Sequence, residues 1–361
     1  MRRLRLRRTP RLPVEPLTTG STERRSVRPL AHGRVHRPAR LFAATAAATV
    51  LALTASGCVT VHGETALLPA ATQAEAAQAL ADFTAAYNRA DKAYDPALDA
   101  NRVTGPLGAI NQAGLRARSV NTPGGNKDHQ PLELTDARFS LPRKAGWPRW
   151  FVADTDSNRD VDGGAGDQRW LLVFVRNGPE ELWEAAYLSI LGAREVPAFA
   201  EEAGYAVPVA ADGDALAVAP GKLGTAFVSF LKDGQGPFAP GAHTTQWREQ
   251  RQKTAQRPGI ATQYLDQPTD RGDFAPLGLR TRDGGAFVFF ATRFFERQTT
   301  AKGYRPTVGP DVKALLTGEI KNTVTREWVS SLTVLVKPAG TDQGAVAVTS
   351  RLQGVVGAVG S

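Results

Sequence analysis

Residues 168–190 read QRWLLVFVRNGPEELWEAAYLSI. Gln168–Arg176 reads as a strand, in which Trp170 to Val175 form an unbroken apolar run, as expected of a strand buried on both faces. Asn177-Gly178 then predicts a tight hairpin into a second strand, Glu180–Ile190. Upstream, Pro131–Leu141 and Trp147–Thr155 read as two further strands, which makes a four-strand antiparallel meander.

A helix precedes this meander. Thr72-Gln73-Ala74-Glu75 is a capping box, in which Thr72 accepts from the Glu75 amide and the Glu75 side chain reaches back. Leu80, Phe83, Tyr87, Ala90 and Tyr94 follow at helical spacing, and Asp95-Pro96 ends the pattern. Leu107 to Leu115 reads as a shorter second helix. The same order recurs downstream. Leu223, Phe227, Phe230 and Leu231 form an apolar stripe ended by Gly234, and a polar helical segment runs from Trp247 to Ala255. Strands follow at Phe274–Thr281, Gly285–Glu296, Thr325–Lys337 and Ala345–Leu352, with Asp283-Gly284 as a hairpin turn. Each half places its longest interruption between its second and third strands, at 156–167 and 297–324. The expected fold is therefore α+β, with two tandem helix-plus-antiparallel-sheet domains at 72–193 and 220–361 and a linker at 194–219. This layout resembles the cystatin-like and NTF2-like rolls.

The 361 residues carry a formal charge of +9, which invites a nucleic-acid reading. Its distribution argues against one. Residues 1–40 hold twelve Arg and two Glu, and residues 41–57 are uncharged, so the rest of the chain is one unit negative. A nucleic-acid partner needs a basic folded surface to neutralise phosphates, and the folded part has no overall basic excess, which leaves only a local patch.

Residues 41–58, LFAATAAATVLALTASGC, place an Ala-rich apolar stretch behind Arg37 and Arg40 and end in small residues before the only Cys. This is the build of an export signal. It resembles a bacterial lipoprotein signal peptide, with Ala55, Ser56 and Gly57 as the signal-peptidase recognition residues and Cys58 as the lipidated residue. The resemblance implies that residues 1–57 are leader and that Cys58 takes a diacylglyceryl group and becomes the mature N-terminus. Residues 58–71 then form a membrane-proximal tether on the extracytoplasmic side. Ala55 stands where that family usually has Leu. An uncleaved anchor over 41–61 and simple secretion are the alternatives. The n-region is long for a signal, so translation is expected to start near Val35. The chain from Cys58 also resembles actinobacterial lipoproteins of unknown function, through the lipobox, Asp95-Pro96 with Gly108-Ala109-Ile110, and Trp150-Phe151-Val152-Ala153. That resemblance implies an address and no activity.

Chemistry-bearing motifs are few. Asp154, Asp156, Asn158, Asp160 and Asp162 alternate along a loop, a pattern that suits Ca²⁺, although every EF-hand frame fails at the Gly or the twelfth position. The alternative is a solvated loop. His62, His129 and His243 are scattered, so zinc is not expected. GxSxG, HExxH, Walker and GxGxxG motifs are absent from the sequence. Trp150, Trp170 and Trp183 read as core, and Trp147 as exposed. The expected function is a non-enzymatic lipoprotein on the outer membrane face, without a cofactor, that binds an envelope protein partner or a small ligand. The alternatives are an NTF2-like pocket enzyme with an Asp or His base, and a Ca²⁺-dependent envelope protein.

Overall fold

The computed structural model describes residues 66–341 and 344–361, and these described residues belong to one compact unit. Helix α1 spans Gln73–Ala93, and its capping box is present: the Glu75 amide donates to Thr72 Oγ1 at 3.1 Å and the Thr72 amide to Glu75 Oε2 at 2.7 Å. Tyr94 ends the helix in the left-handed region. Helix α2, Gly105–Asn121, is longer than the apolar spacing predicts.

Strands β1 (Leu134–Ser140), β2 (Arg149–Ser157), β3 (Gln168–Arg176) and β4 (Glu184–Gly192) pair antiparallel in that order. Strand β3 has the predicted bounds. Its two neighbours hold it from Arg149↔Arg176 on one side to Gln168↔Gly192 on the other. The Asn177-Gly178 turn differs from expectation. Strand β4 does not begin until Glu184, because Pro179 cannot donate to a ladder and the chain makes a wider loop, closed by the Glu181 amide on Gly178 O.

The second half begins with α3 (Leu223–Asp233), which Gly234 ends at φ 80°, and the polar α4 (Thr245–Ala255). A strand with no apolar alternation follows, β5 (Ile260–Thr269). It pairs with β7 (Ala286–Thr300) over ten residues, and β6 (Leu277–Arg280) continues the same edge of β7. Strands β8 (Thr323–Val336) and β9 (Val346–Gly360) complete the ladder, and α5 (Pro310–Ala314) lies in the excursion between β7 and β8. The second sheet is thus wider than a four-strand meander.

The layers follow from which face each apolar residue takes. Phe151, Ala153, Leu172 and Phe174 pack under Ala76, Leu80 and Phe83 of α1. Their alternates Val152, Leu171, Val173 and Tyr187 pack on Leu279, Phe287 and Phe289 of the second sheet. The other face of that sheet, with Val288, Phe290, Leu332 and Val334, carries Phe227 and Phe230 of α3. The order is helices, sheet, sheet, helices. Residues 194–219 join this interior: Val196 and Phe199 pack on the shared cluster, and the Ala200 amide donates to Arg280 O.

Polar bonds also cross between the sheets. The Tyr187 hydroxyl lies 2.9 Å from Phe274 O and 3.0 Å from Ala275 O, and Ser189 Oγ lies 2.9 Å from Thr333 Oγ1. Phe289→Ala, which hollows this interior, is expected to cost about 3–5 kcal/mol. It should lower the unfolding midpoint of both halves in a single transition, followed by denaturant titration with Trp fluorescence.

Candidate functional site

The amphipathic stripe of α1 ends near a cavity. Phe83 and Tyr87 from α1, Leu107, Ile110, Asn111, Gly114 and Arg118 from α2, and Trp170, Leu188 and Ile190 from the first sheet enclose about 370 Å³. Leu352 of β9 and Asp311 of α5 close it from the second half. The lining is mostly apolar with a few polar groups at one side, the usual composition of a small-molecule pocket. Gly114 contributes open space: a Cβ built there meets only Arg118, at 3.5 Å.

The polar side is held by two networks. Arg118 pairs with Asp91 at 3.8 Å and lies over the Tyr94 ring at 5.4 Å, while its buried Nε has no partner among the described residues. Asp91 also contacts His129 Nδ1 at 2.9 Å and accepts from Asn126 Nδ2 at 3.1 Å. Burial, together with the nearby Asp91 carboxylate, holds the Tyr87 hydroxyl above its ordinary range. The second network is centred on Asp99, which is fully buried. Its Oδ2 accepts from Asn111 Nδ2 and its Oδ1 from Gln112 Nε2, each at 2.6 Å. These bonds pin the turn after α1 to the helix that forms the pocket floor.

Asp311 is the carboxylate on the wall, and its Oδ1 accepts from Asn121 Nδ2 at 2.7 Å. His129 is tied to Asp91, and burial pushes the His243 ring below its usual value; neither lines the cavity. Trp150 and Trp183 are core, Trp147 is half-buried, and Trp170 is half-buried on the pocket wall.

The acidic loop is partitioned. Asp154 binds Arg169 (Nε to Oδ1 2.7 Å), which also reaches Asp136. Asn158 ties down residues 131–133, accepting from the Glu133 amide and donating to Pro131 O. Asp156 and Asp160 come together with Asp167, with one carboxylate oxygen from each lying within 4.8 Å of the others. Asp162 lines the wider basin beside them, of about 690 Å³. Asp160 is already engaged: its Oδ2 accepts from the Gln168 amide at 2.7 Å and its Oδ1 from Ser157 Oγ at 3.3 Å. Ala55, Ser56, Gly57 and Cys58 lie outside the described residues, as does His62. The sequence places Asp167 at the twelfth position of an EF-hand frame from Asp156 that fails at Val161, outside the alternating acids it joins here. Sequence reading missed Asn111, Arg118 and Asp311, which no local pattern marks. Tyr87 was visible as part of the α1 stripe.

The architecture defines an α+β protein whose helices cover the outer faces of two stacked antiparallel sheets. The chain belongs to the family described as Domain of unknown function (DUF8094), whose model matches residues 67–360. It is 53% identical over 318 residues to an uncharacterized lipoprotein of Streptomyces coelicolor, covering 88% of this chain and 94% of the relative. It is 51% identical over 323 residues to an uncharacterized lipoprotein of Streptomyces avermitilis, covering 89% and 96% respectively. No solved structure matches it.

Burial pushes the Asp99 carboxyl above its ordinary value of 3.8, against the pull of the two amides. A carboxyl raised on folding stabilises most below its unfolded pKa, and that contribution is lost as pH rises through the folded value. Asp99→Asn removes the charge, so its stability relative to the wild type is expected to improve from acidic to neutral pH. Paired thermal melts across that range check this.

Proposed function

We propose that this chain is a lipid-anchored binding protein of the extracytoplasmic membrane face, whose ligand is a small apolar or amphipathic molecule. The pocket between α1, α2 and the first sheet carries the reading. It offers Tyr87, Trp170, Leu188 and Leu352 to an apolar body, and Arg118, with its unpaired Nε, to an anionic or carbonyl end. The anchor is a diacylglyceryl group on Cys58, with Ala55, Ser56 and Gly57 recognised by the peptidase. Both Streptomyces relatives are named lipoproteins, which supports this address, and no helix among the described residues is long and apolar enough to cross a membrane. In this reading residues 1–57 are leader and 58–71 tether. The halves 72–193 and 220–361 are two domains stacked sheet to sheet through the 194–219 connection.

A second reading keeps the loop acids. Asp156 and Asp160 with Asp167 would hold a weak extracellular Ca²⁺, since three carboxylates converge there. Titration calorimetry that shows no heat at millimolar Ca²⁺ removes it.

Cys58→Ser is expected to move the protein from the detergent phase to the aqueous phase in a phase-partition assay; unchanged partitioning overturns the anchor. For the pocket, 1-anilinonaphthalene-8-sulfonate supplies an apolar body with an anionic end. The folded protein is expected to enhance its fluorescence. Gly114→Phe, which fills the cavity and replaces a poor helix former, should weaken binding roughly tenfold or more without lowering the melting temperature. Equal binding by the variant excludes this pocket.

A further inference from the structure

The described chain begins at the end of the first sheet where β2 starts and β3 finishes. Leu68 and Pro69 pair with Lys144 and Arg143, and the Ala70 amide donates to Pro142 O. Leu67 and Leu68 are 66% and 46% exposed there. At the same end of the sheet, Trp147 lies under two guanidinium groups, those of Arg149 at 4.7 Å and Arg176 at 5.5 Å. The Arg143 guanidinium lies over Tyr205 at 4.2 Å. Lys144 donates one hydrogen to Pro148 O, and among the described residues its charge has no ionic partner and Arg149 Nε no hydrogen-bond partner.

Four cations, a Trp, a Tyr and two exposed leucines therefore surround the point where the tether enters the fold. Glu75 lies close to Arg149 and Arg176, with its carboxylate tied back to the Thr72 amide, and Glu184 pairs with Val175 next to Arg176. Glu181, Glu184 and Asp273 group together on the β4 side. Glu201 and Glu202 lie on the short hairpin that carries Tyr205.

We propose that this end of the molecule docks on the anionic headgroups of the membrane that holds its anchor. The inference rests on the lipidation reading for Cys58 and adds the surface that faces the lipid. Eight residues, and so nine residue-to-residue steps, separate Cys58 from Leu67. Fully extended they reach about 30 Å, and as a flexible coil about 17 Å. The anchor thus delivers this end, rather than any other, to the interface. The residue types suit a lipid surface. Arg and Lys attract anionic lipid, while Trp, Tyr and Leu favour the boundary between headgroup and acyl chain. Each cation is backed by an aromatic ring or by its own chain, so the charges are held in place before contact.

The test uses residues 59–361, which contain the whole compact unit and all three apolar clusters but neither the Arg-rich leader nor the anchor. The protein is expected to sediment with phosphatidylcholine vesicles that contain phosphatidylglycerol, to dissociate at high salt, and to ignore pure phosphatidylcholine. Arg143→Glu with Lys144→Glu should weaken binding about 30-fold or more. Leu67→Asp with Leu68→Asp, which touches only exposed side chains, should also release it. Lys302→Glu with Arg305→Glu, the same charge change on exposed residues of the β7–β8 excursion, should leave binding intact. Absence of sedimentation, equal binding to neutral vesicles, or equal binding by the Arg143/Lys144 variant overturns the proposal. Because no lipid is attached in this assay, it fails or succeeds independently of the Cys58→Ser partition experiment.

Discussion

Two sheets that are apolar on both faces have to find cover twice, and this requirement organises the molecule. Helices supply one cover for each sheet, and each sheet supplies the other. The meeting of Tyr187 with Phe289, ring centroids 5.9 Å apart, lies inside that shared layer. The layer is not purely apolar. Tyr187 brings a hydroxyl into it, and burial drives that hydroxyl well above its ordinary ionisation range, so it stays a neutral donor beside the carbonyls of Phe274 and Ala275. Those carbonyls belong to the segment that links β5 to β6. A side chain of the first sheet therefore satisfies backbone of the second at the break in its edge.

The pocket is a consequence of the outer cover. Small residues on α1, namely Ala76, Ala79, Ala86 and Ala90, are fully or almost fully buried. Between Ala86 and Ala90 in the chain, Tyr87 is only partly covered and meets empty volume. The second half contributes the far wall. Gly354 of β9 admits Ile110 so closely that a Cβ there would stand 2.7 Å from it. Leu352, two residues earlier, reaches the cavity itself.

The parts that were legible in the sequence are those where one physical signal dominates. Trp170 to Val175 is apolar on both faces because both faces are covered, and it reads as such. The capping box at Thr72 is a local reciprocal bond and also reads directly. Strand β5 did not, because its inward residues Thr262, Tyr264 and Asp266 are polar. They face α4, where the Arg251 guanidinium binds Asp266 with three 3.0 Å bonds and lies over the Tyr264 ring at 4.1 Å. Helix and strand are each polar in isolation, and only the pair explains either. The candidate site was less legible still. Arg118 and Asp311 stand far apart in the chain and meet through tertiary packing. The acidic loop showed its acids but not their allegiance: Arg169 claims Asp154, and the strand end supplies Asp167.

The shared interior also sets an order of events. A chain made from its N-terminus completes β1 to β4 about a hundred residues before Phe287 and Phe289 exist. During that interval α1 and α2 can cover one face of the first sheet, while Val152, Leu171 and Val173 have nothing to lie against. A protein built this way carries a transient sticky surface on every copy being made. The interval is long because the pairing that closes it is among the most non-local in the fold. The same back-to-back geometry that buries the finished molecule so thoroughly makes its half-finished form the state most prone to aggregate.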